Sequence, residues 1–511
     1  MTSGAMTTPH PLATEIGQRV LDAGGTAPEA IIAAGAVLSV VAPHFCGLGG
    51  DAVWLVADRK GDRRCFLAIG QGLQRPAPTA PIPDRGRDSV LTSAAVVDGW
   101  AHALDYSTQA LGGTARWEDL IGPAASIARE GHRVSRSQAF WTAYRHPEIA
   151  DWPGFEGVFV LDGRPRPAGA LMRQPALAET LETLAERGAR DFYEGTLSRR
   201  ILAGLNDQGI AISAADLART RTRETAPLST PYRDRCLLAP PPPTQGITFL
   251  QIMGSLGRLD LADLSPGSAA HLHLCIEAVK QAFRDRRQIA DPRFANVDVQ
   301  RLLSAATLDT KAAAICPNRA LPWPDPWQHG DTAFLGAIDS AGNAASVLQS
   351  TYFDWGAGVM AGDTGIVWQN RGAAFSASRG HPNAFAPGKL PFYTLTPGIA
   401  LDADGHPEFA FGTQGADGQP QTLSVVLTHL IDYHASPSDA LSAPRFLLGR
   451  TFSDQSHSLK VEGHAGQEVM AGLAARGHDV APILAYSPLA GQAGLVLGAA
   501  SGTTGYHDPR H

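Results

Sequence analysis

The sequence predicts an α+β fold in which a sheet drawn from both parts of the chain carries helices on its outside. Three observations predict it. Residues 95 to 230 read largely as helix, whereas the last 180 residues (511 minus 331) are richer in strand. A hydrophobic content of 44% over 511 residues supports a substantial core, in two or more ordinary domains or in one large sandwich.

The elements follow in order. "ATEIGQRVLDAGG" places Ile16, Val20 and Leu21 on one helical face and stops at Gly24-Gly25. A second helix starts at once, with Thr26 and Glu29 in a capping-box pattern, Pro28 in the first turn and an apolar run ending near Val41. "GLGGD", 47 to 51, reads as a tight turn near another backbone, since it has no lysine and feeds a strand, "AVWLVAD", paired with "RCFLAIG". "APPPPTQG", 239 to 246, is a rigid extended lead-in to a helix. "CIEAVKQAFRDRRQ" reads as an amphipathic helix with Cys275, Ile276, Val279, Ala282 and Phe283 on one face and its Arg/Asp cluster opposite. From Thr332, "TAFLGAID" and "AASVLQST" flank the turn "SAGN" as a hairpin. "GIVWQN" and "GIALDADGHPEFAFG" add strands, and "QTLSVVLTHLIDYH" reads as a strong amphipathic helix.

Composition narrows the function. With 42 Lys+Arg against 49 Asp+Glu and no long basic stripe, nucleic acid is not an expected partner. Cys46, Cys65, Cys236, Cys275 and Cys316 are scattered singly, which predicts free thiols in a reducing compartment. The N-terminus lacks a charged region followed by an apolar one, and the run from Ala30 is too short to span a bilayer, so no membrane association and a cytoplasmic location are expected.

The common chemical signatures are missing: no H-E-x-x-H, no G-x-x-x-x-G-K-[ST], and no G-x-S-x-G at a strand-to-helix turn. His271, His273 and Cys275, spaced by two, would point in different directions on a helix, so no metal is expected there. "FGTQGADGQPQT", 411 to 422, is a glycine loop that opens a helix, and the unpaired N–H groups of such a first turn can face an anion or a developing oxyanion. A threonine becomes a catalyst when it is the first residue of a chain, its hydroxyl the nucleophile and its α-amine, titrating near ~8, the base. For Thr332 this requires a cut after Asp331, beyond the proline-bracketed loop 317 to 330.

From about His10 to its end the chain resembles the γ-glutamyltranspeptidase family of N-terminal-nucleophile hydrolases. The resemblance is carried by "HPLATEIGQRVLDAGGTAPEAIIAA", "VVAPHFCGLGG", "PPPPTQG", "EAVKQAFRDR", "GDTAFLGAIDSAGNAASVLQS", "GIVWQNRGAAFS", "LPFYTLTP", "GTQGADGQPQT" and "APRF", in family order. It implies a four-layer αββα N-terminal-nucleophile hydrolase sandwich, and a proenzyme that cuts itself between Asp331 and Thr332. An α segment, 1–331, and a β segment, 332–511, would stay associated in one domain, and a homodimer of such αβ units is compatible with the resemblance. Thr332 matches the family nucleophile, counted from the D-x-x-G-N turn Asp339 to Asn343. Ser350 falls where the family orients the nucleophile, and Gly415 and Ala416 fall on the paired glycines of the oxyanion hole. No cofactor and no metal are implied.

The departures point to a substrate. Family members that take γ-glutamyl donors hold the α-carboxylate with an Arg in a D-F-R-type segment and the α-ammonium with an Asp; this chain has Gly72 and Ala374 there, and Arg371 at a neighbouring Gln position. Tyr393-Thr394 replaces the family's serine pair. These features resemble the oxamate amidohydrolase branch, which implies hydrolysis of a small anionic amide with Arg371 as carboxylate partner; the alternative for Arg371 is a structural salt bridge under its loop. Tyr352, Tyr393, Thr394 and Asp417 are the other expected substrate contacts. Two further readings are a γ-glutamyltransferase or glutathione hydrolase with a rearranged clamp using Arg75 or Asp417, and a non-catalytic homologue acting as a binding protein.

Overall fold

The computed structural model describes residues 4–149, 152–323, 331–449, 456–499 and 502–510. Two six-stranded antiparallel sheets lie face to face. The strands are β1 (Ala5–Thr7), β2 (Asp51–Ala57), β3 (Arg63–Ala68), β4 (Arg223–Thr225), β5 (Leu228–Tyr232), β6 (Arg235–Ala239), β7 (Asp331–Ile338), β8 (Ala344–Tyr352), β9 (Gly398–Leu401), β10 (Pro407–Thr413), β11 (Ala493–Ala499) and β12 (Gly502–His507). The first sheet has the order β1-β7-β8-β2-β3-β4 and the second β12-β11-β10-β9-β6-β5. Each sheet therefore takes strands from both sides of the Asp331-Thr332 junction.

Helices close the sandwich from both sides. Over the first sheet lie α1 (Pro11–Asp22), α2 (Ala27–Val41), α3 (Val96–Tyr106), α4 (Trp117–Glu130) and α5 (Pro175–Arg187); over the second lie α6 (Gly246–Leu256), α7 (Ala269–Phe283) and α8 (Gln419–Ile431). The result is the expected αββα arrangement. Strand alternation sorts the side chains: Trp54, Val56, Ala333, Leu335, Ala337, Ala345 and Val347 join the helix-side core, whereas Val53, Leu55, Phe334, Ile338 and Leu348 fill the space between the sheets. The Phe334 ring sits where Gly412 and Gly494 of the opposite sheet leave room for it.

Local signals account for much of this. Thr26 and Glu29 form the full capping box of α2, and Pro28 lies in its first turn. The β7–β8 turn is held by Asp339, whose carboxylate accepts from the N–H groups of Ala341 and Asn343, both at 3.0 Å, and from Asn343 Nδ2 at 2.9 Å. In "GLGGD", a Cβ on Gly50 would lie 2.5 Å from the Ser350 carbonyl oxygen, the close backbone approach expected of that turn.

Three expectations need correction. The helix from Cys275 begins earlier, at Ala269, and ends at Phe283, so its Arg/Asp cluster lies beyond it; α7 is buried from His271 to Phe283. The helix α8 is not amphipathic either: every residue but Leu430 is buried. Within "GIVWQN" only Val367–Trp368 is strand, paired with Val359–Met360. The region 95 to 230 is helical as expected but also carries two short strand pairs, His132–Arg133 with Leu171–Met172 and Val160–Leu161 with Arg164–Pro165. None of the five cysteines forms a disulfide, and among the described residues no helix is long and apolar enough to cross a membrane.

Candidate active site

Thr332 stands at the start of β7, and its parity with Phe334 turns it toward the space between the sheets. It is buried. The ladder is irregular at this point: Asp331 pairs with Tyr352 but Ala333 pairs with Gln349, so β8 carries one extra residue opposite Thr332. Ser350 lies in that irregularity, and its Oγ accepts the Tyr352 N–H at 2.8 Å. Tyr352 itself has φ 84°, a conformation a tyrosine adopts only when its surroundings impose it, and such positions concentrate at functional sites. The Asp331 side chain and residues 324–330 of the preceding loop lie outside the described residues.

The second sheet brings the glycine loop to the same end of the sandwich. Gly412 opposes Phe334, two residues from Thr332, and β10 leads from Gly412 into Gly415 and Ala416. Both adopt left-handed backbone, φ 112° and 44°, and the 3₁₀ turn Ala416–Gly418 then opens α8. Alanine at positive φ stores strain of roughly 1 kcal/mol or more that the second family glycine would avoid. Among the described residues neither the Gly415 nor the Ala416 N–H donates a hydrogen bond, so neither is committed to a protein acceptor.

A third group of residues surrounds Arg371. This residue is only 1% exposed, and its guanidinium lies between two rings, 3.8 Å from the centroid of Tyr352 and 4.0 Å from that of Tyr393. Among the described residues it forms no salt bridge, and its Nε and Nη1 have no hydrogen-bond acceptor. The structural salt bridge allowed by the sequence is therefore not what holds it. The Tyr393 hydroxyl donates to Asp51, and burial together with that carboxylate keeps the phenol well above its ordinary range.

Other expected contacts are placed differently. Asp417 is fully buried and both its oxygens are taken by Arg286, one of them by Nη1 at 2.7 Å, while Arg286 rests between Phe283 and Phe392. The Asp417 carboxylate thus holds the glycine loop to the segment after α7. Thr394 is buried beside Tyr393, and its carbonyl accepts Gln245 Nε2 at 2.6 Å; the same nitrogen reaches the Ala416 carbonyl at 2.8 Å. Gln245 therefore braces the Tyr393-Thr394 loop against the oxyanion loop. His273 and Glu277 do approach His478, but the two rings bond each other at 2.7 Å, His273 Nε2 bonds the Cys316 carbonyl, and Glu277 is taken by Lys280 and the Leu321 N–H.

Sequence reasoning missed Gln245, Arg286 and Asp51. Asp51 is the most consequential. It pairs in register with Ser350 and shares the parity of Val53, so its carboxyl faces the second sheet beside Ser350. It accepts the N–H groups of Gly70 and Ala95, each at 2.9 Å, besides the Tyr393 hydroxyl. Burial lifts its pKa from 3.8 to about 6 against the pull of those hydrogen bonds. The folded state then holds this proton more tightly than the unfolded chain, so the stabilisation from this group is complete below about pH 4 and is lost as pH rises through about 6. Asp51→Asn cannot titrate; the difference in Tm between variant and wild type should shift in the variant's favour between about pH 4 and about pH 7. Parallel Tm curves over that window would contradict the shift.

The Gamma-glutamyltranspeptidase family profile matches residues 13–511. The chain belongs to the γ-glutamyltranspeptidase family. It is 40% identical to an oxamate amidohydrolase proenzyme of Klebsiella pneumoniae subsp. pneumoniae, covering 100% of this chain and 97% of that protein. It is 36% identical to the glutathione hydrolase-like YwrD proenzyme of Bacillus subtilis, covering 97% and 94%. Among solved structures, cephalosporin acylase from Bacillus halodurans superposes with a TM-score of 0.89 at 28% identity, over 100% of this chain and 94% of that one. The family match thus runs from residue 13 to residue 511.

Proposed function

We propose that the protein is a self-processing amidohydrolase that hydrolyses oxamate or a similarly small anionic amide through an N-terminal threonine. The observation that carries this reading is Arg371: a buried guanidinium whose Nε and Nη1 lack an acceptor, with no carboxylate partner among the described residues and a position between two tyrosines at the Thr332 end of the sandwich. An uncompensated buried cation is costly, and a substrate carboxylate supplies what it lacks.

Cleavage between Asp331 and Thr332 would divide the chain into segments 1–331 and 332–511 and free the Thr332 α-amine. Thr332 Oγ then adds to the amide carbonyl while the α-amine takes its proton. The N–H groups of Gly415 and Ala416 face the tetrahedral oxyanion, Ser350 supports the nucleophile, and Arg371 holds the carboxylate. Collapse passes the proton to the leaving ammonia and leaves an ester on Thr332, which water opens to release the acid. The reading also includes a cytoplasmic location.

A γ-glutamyl donor is less well served. A Cβ built on Gly72 would lie 2.6 Å from the Ala386 carbonyl oxygen, so the loop around Ala386 occupies the space a clamp side chain at 72 would need. Asp417, one of the two residues considered for a rearranged clamp, is already paired with Arg286. The test is an amide panel read by ammonia release. Oxamate should be turned over and γ-glutamyl anilides should be poor donors; efficient γ-glutamyl turnover without oxamate activity would replace this reading with the transpeptidase one.

A further inference from the structure

We infer that Asp51 is a positioning residue of the anion site: through the Tyr393 hydroxyl it fixes the ring that covers one face of Arg371, so that the guanidinium meets a substrate only along its edge. The inference rests on the proposed role of Arg371 and deepens it.

The chain of contacts is short. Gly70 and Ala95 hold Asp51 Oδ1 through their backbone N–H groups, which fixes the carboxyl in one orientation. Its other oxygen receives the Tyr393 hydroxyl. The Tyr393 backbone is pinned independently, its N–H to the Pro243 carbonyl at 2.9 Å and its carbonyl to the Gln245 N–H at 2.9 Å. With backbone and hydroxyl both held, the ring has no freedom to swing off Arg371. Tyr352 covers the opposite face from a backbone conformation that is itself locked, with its N–H on Ser350 Oγ. Both faces of the guanidinium are thereby closed and only its edge remains, where Nη2 stands beside either of the unpaired donors Nε and Nη1. A carboxylate approaching along that edge can make two parallel hydrogen bonds; a neutral amide gains no such pairing. Arg371 and Asp51 act on the shared hydroxyl in opposite senses, the guanidinium favouring the phenolate and the carboxylate opposing it.

Tyr393→Phe keeps the ring and severs the tether. It should process normally by intact mass. Its preference for oxamate over oxamide, a neutral amide of similar size, measured as the ratio of kcat/KM values, should fall about tenfold, with most of the change in the KM for oxamate, as expected for one lost hydrogen bond. Asp51→Asn can still accept the two N–H groups and meet the hydroxyl, so it should retain most of the preference. A preference left intact in Tyr393→Phe, or equal losses on both amides, overturns the inference alone. An Asn variant that loses kcat on both amides makes Asp51 part of the reaction and overturns it as well. A wild type without oxamate turnover removes both the proposed function and the role of Asp51.

Discussion

Thr332→Ala is expected to leave the protein as one 511-residue chain and to abolish amide hydrolysis. The wild type should instead yield a 180-residue fragment (511 minus 331) beginning "TAFLGAID", visible by intact mass. The two losses have one cause. In the proposed mechanism the Thr332 hydroxyl attacks the Asp331 carbonyl in cleavage, and turnover uses the same hydroxyl beside the α-amine that cleavage frees. Alanine keeps the strand, and Thr332 is a buried residue at the edge of the inter-sheet space, so the fold should survive with little change in Tm. A wild-type chain that stays whole after prolonged incubation yet hydrolyses amides would remove the N-terminal threonine from the mechanism.

Arg371→Gln should process normally, because the proposed self-cleavage involves no bound anion, and should lose oxamate hydrolysis by about two orders of magnitude or more. On the proposed role two charge-assisted hydrogen bonds of roughly 1.5 to 3 kcal/mol each would disappear, with allowance for non-additivity. Arg371→Lys should recover only part, since an ammonium cannot fill the flat space between Tyr352 and Tyr393 or present two parallel donors. The deciding comparison is oxamate against a neutral amide of similar size. Equal losses on both would show that Arg371 supports its loop, and no loss on oxamate would take it out of the site.

The parts of the fold legible in the sequence were those written in local chemistry. The capping box at Thr26, the stop at Gly24-Gly25 and the Asp339–Asn343 turn each need only neighbours in the chain, and each appears where the residues place it. The polar residues of α8 misled because their partners are not visible in a pattern. Ser424 and Thr428 turn their hydroxyls back onto the carbonyls of Gln421 and Ser424, His429 onto that of Val425, and Gln421 reaches Leu448. With their hydrogen bonds satisfied inside the helix and across to Leu448, these side chains can be buried where periodicity predicts solvent. The site divides in the same way. Thr332, Ser350 and the glycine loop were recognisable as motifs, whereas Asp51 gained its meaning only from register, since a strand-opening aspartate becomes unusual once Ser350 and Tyr393 are found against it.

The sharing of strands between the two segments has a consequence for assembly. The pairs β7–β8 and β9–β10 lie inside sheets whose remaining strands include β1 to β6, so neither segment can complete a sheet without the other. In the uncut chain the two halves are tethered and folding is a first-order process. After the proposed cut the same sandwich, once unfolded, could re-form only by encounter of two separate polypeptides, at a rate that falls with dilution. Scission therefore changes the molecularity of folding: the precursor is the species suited to building the structure, and the cleaved form is suited to keeping it.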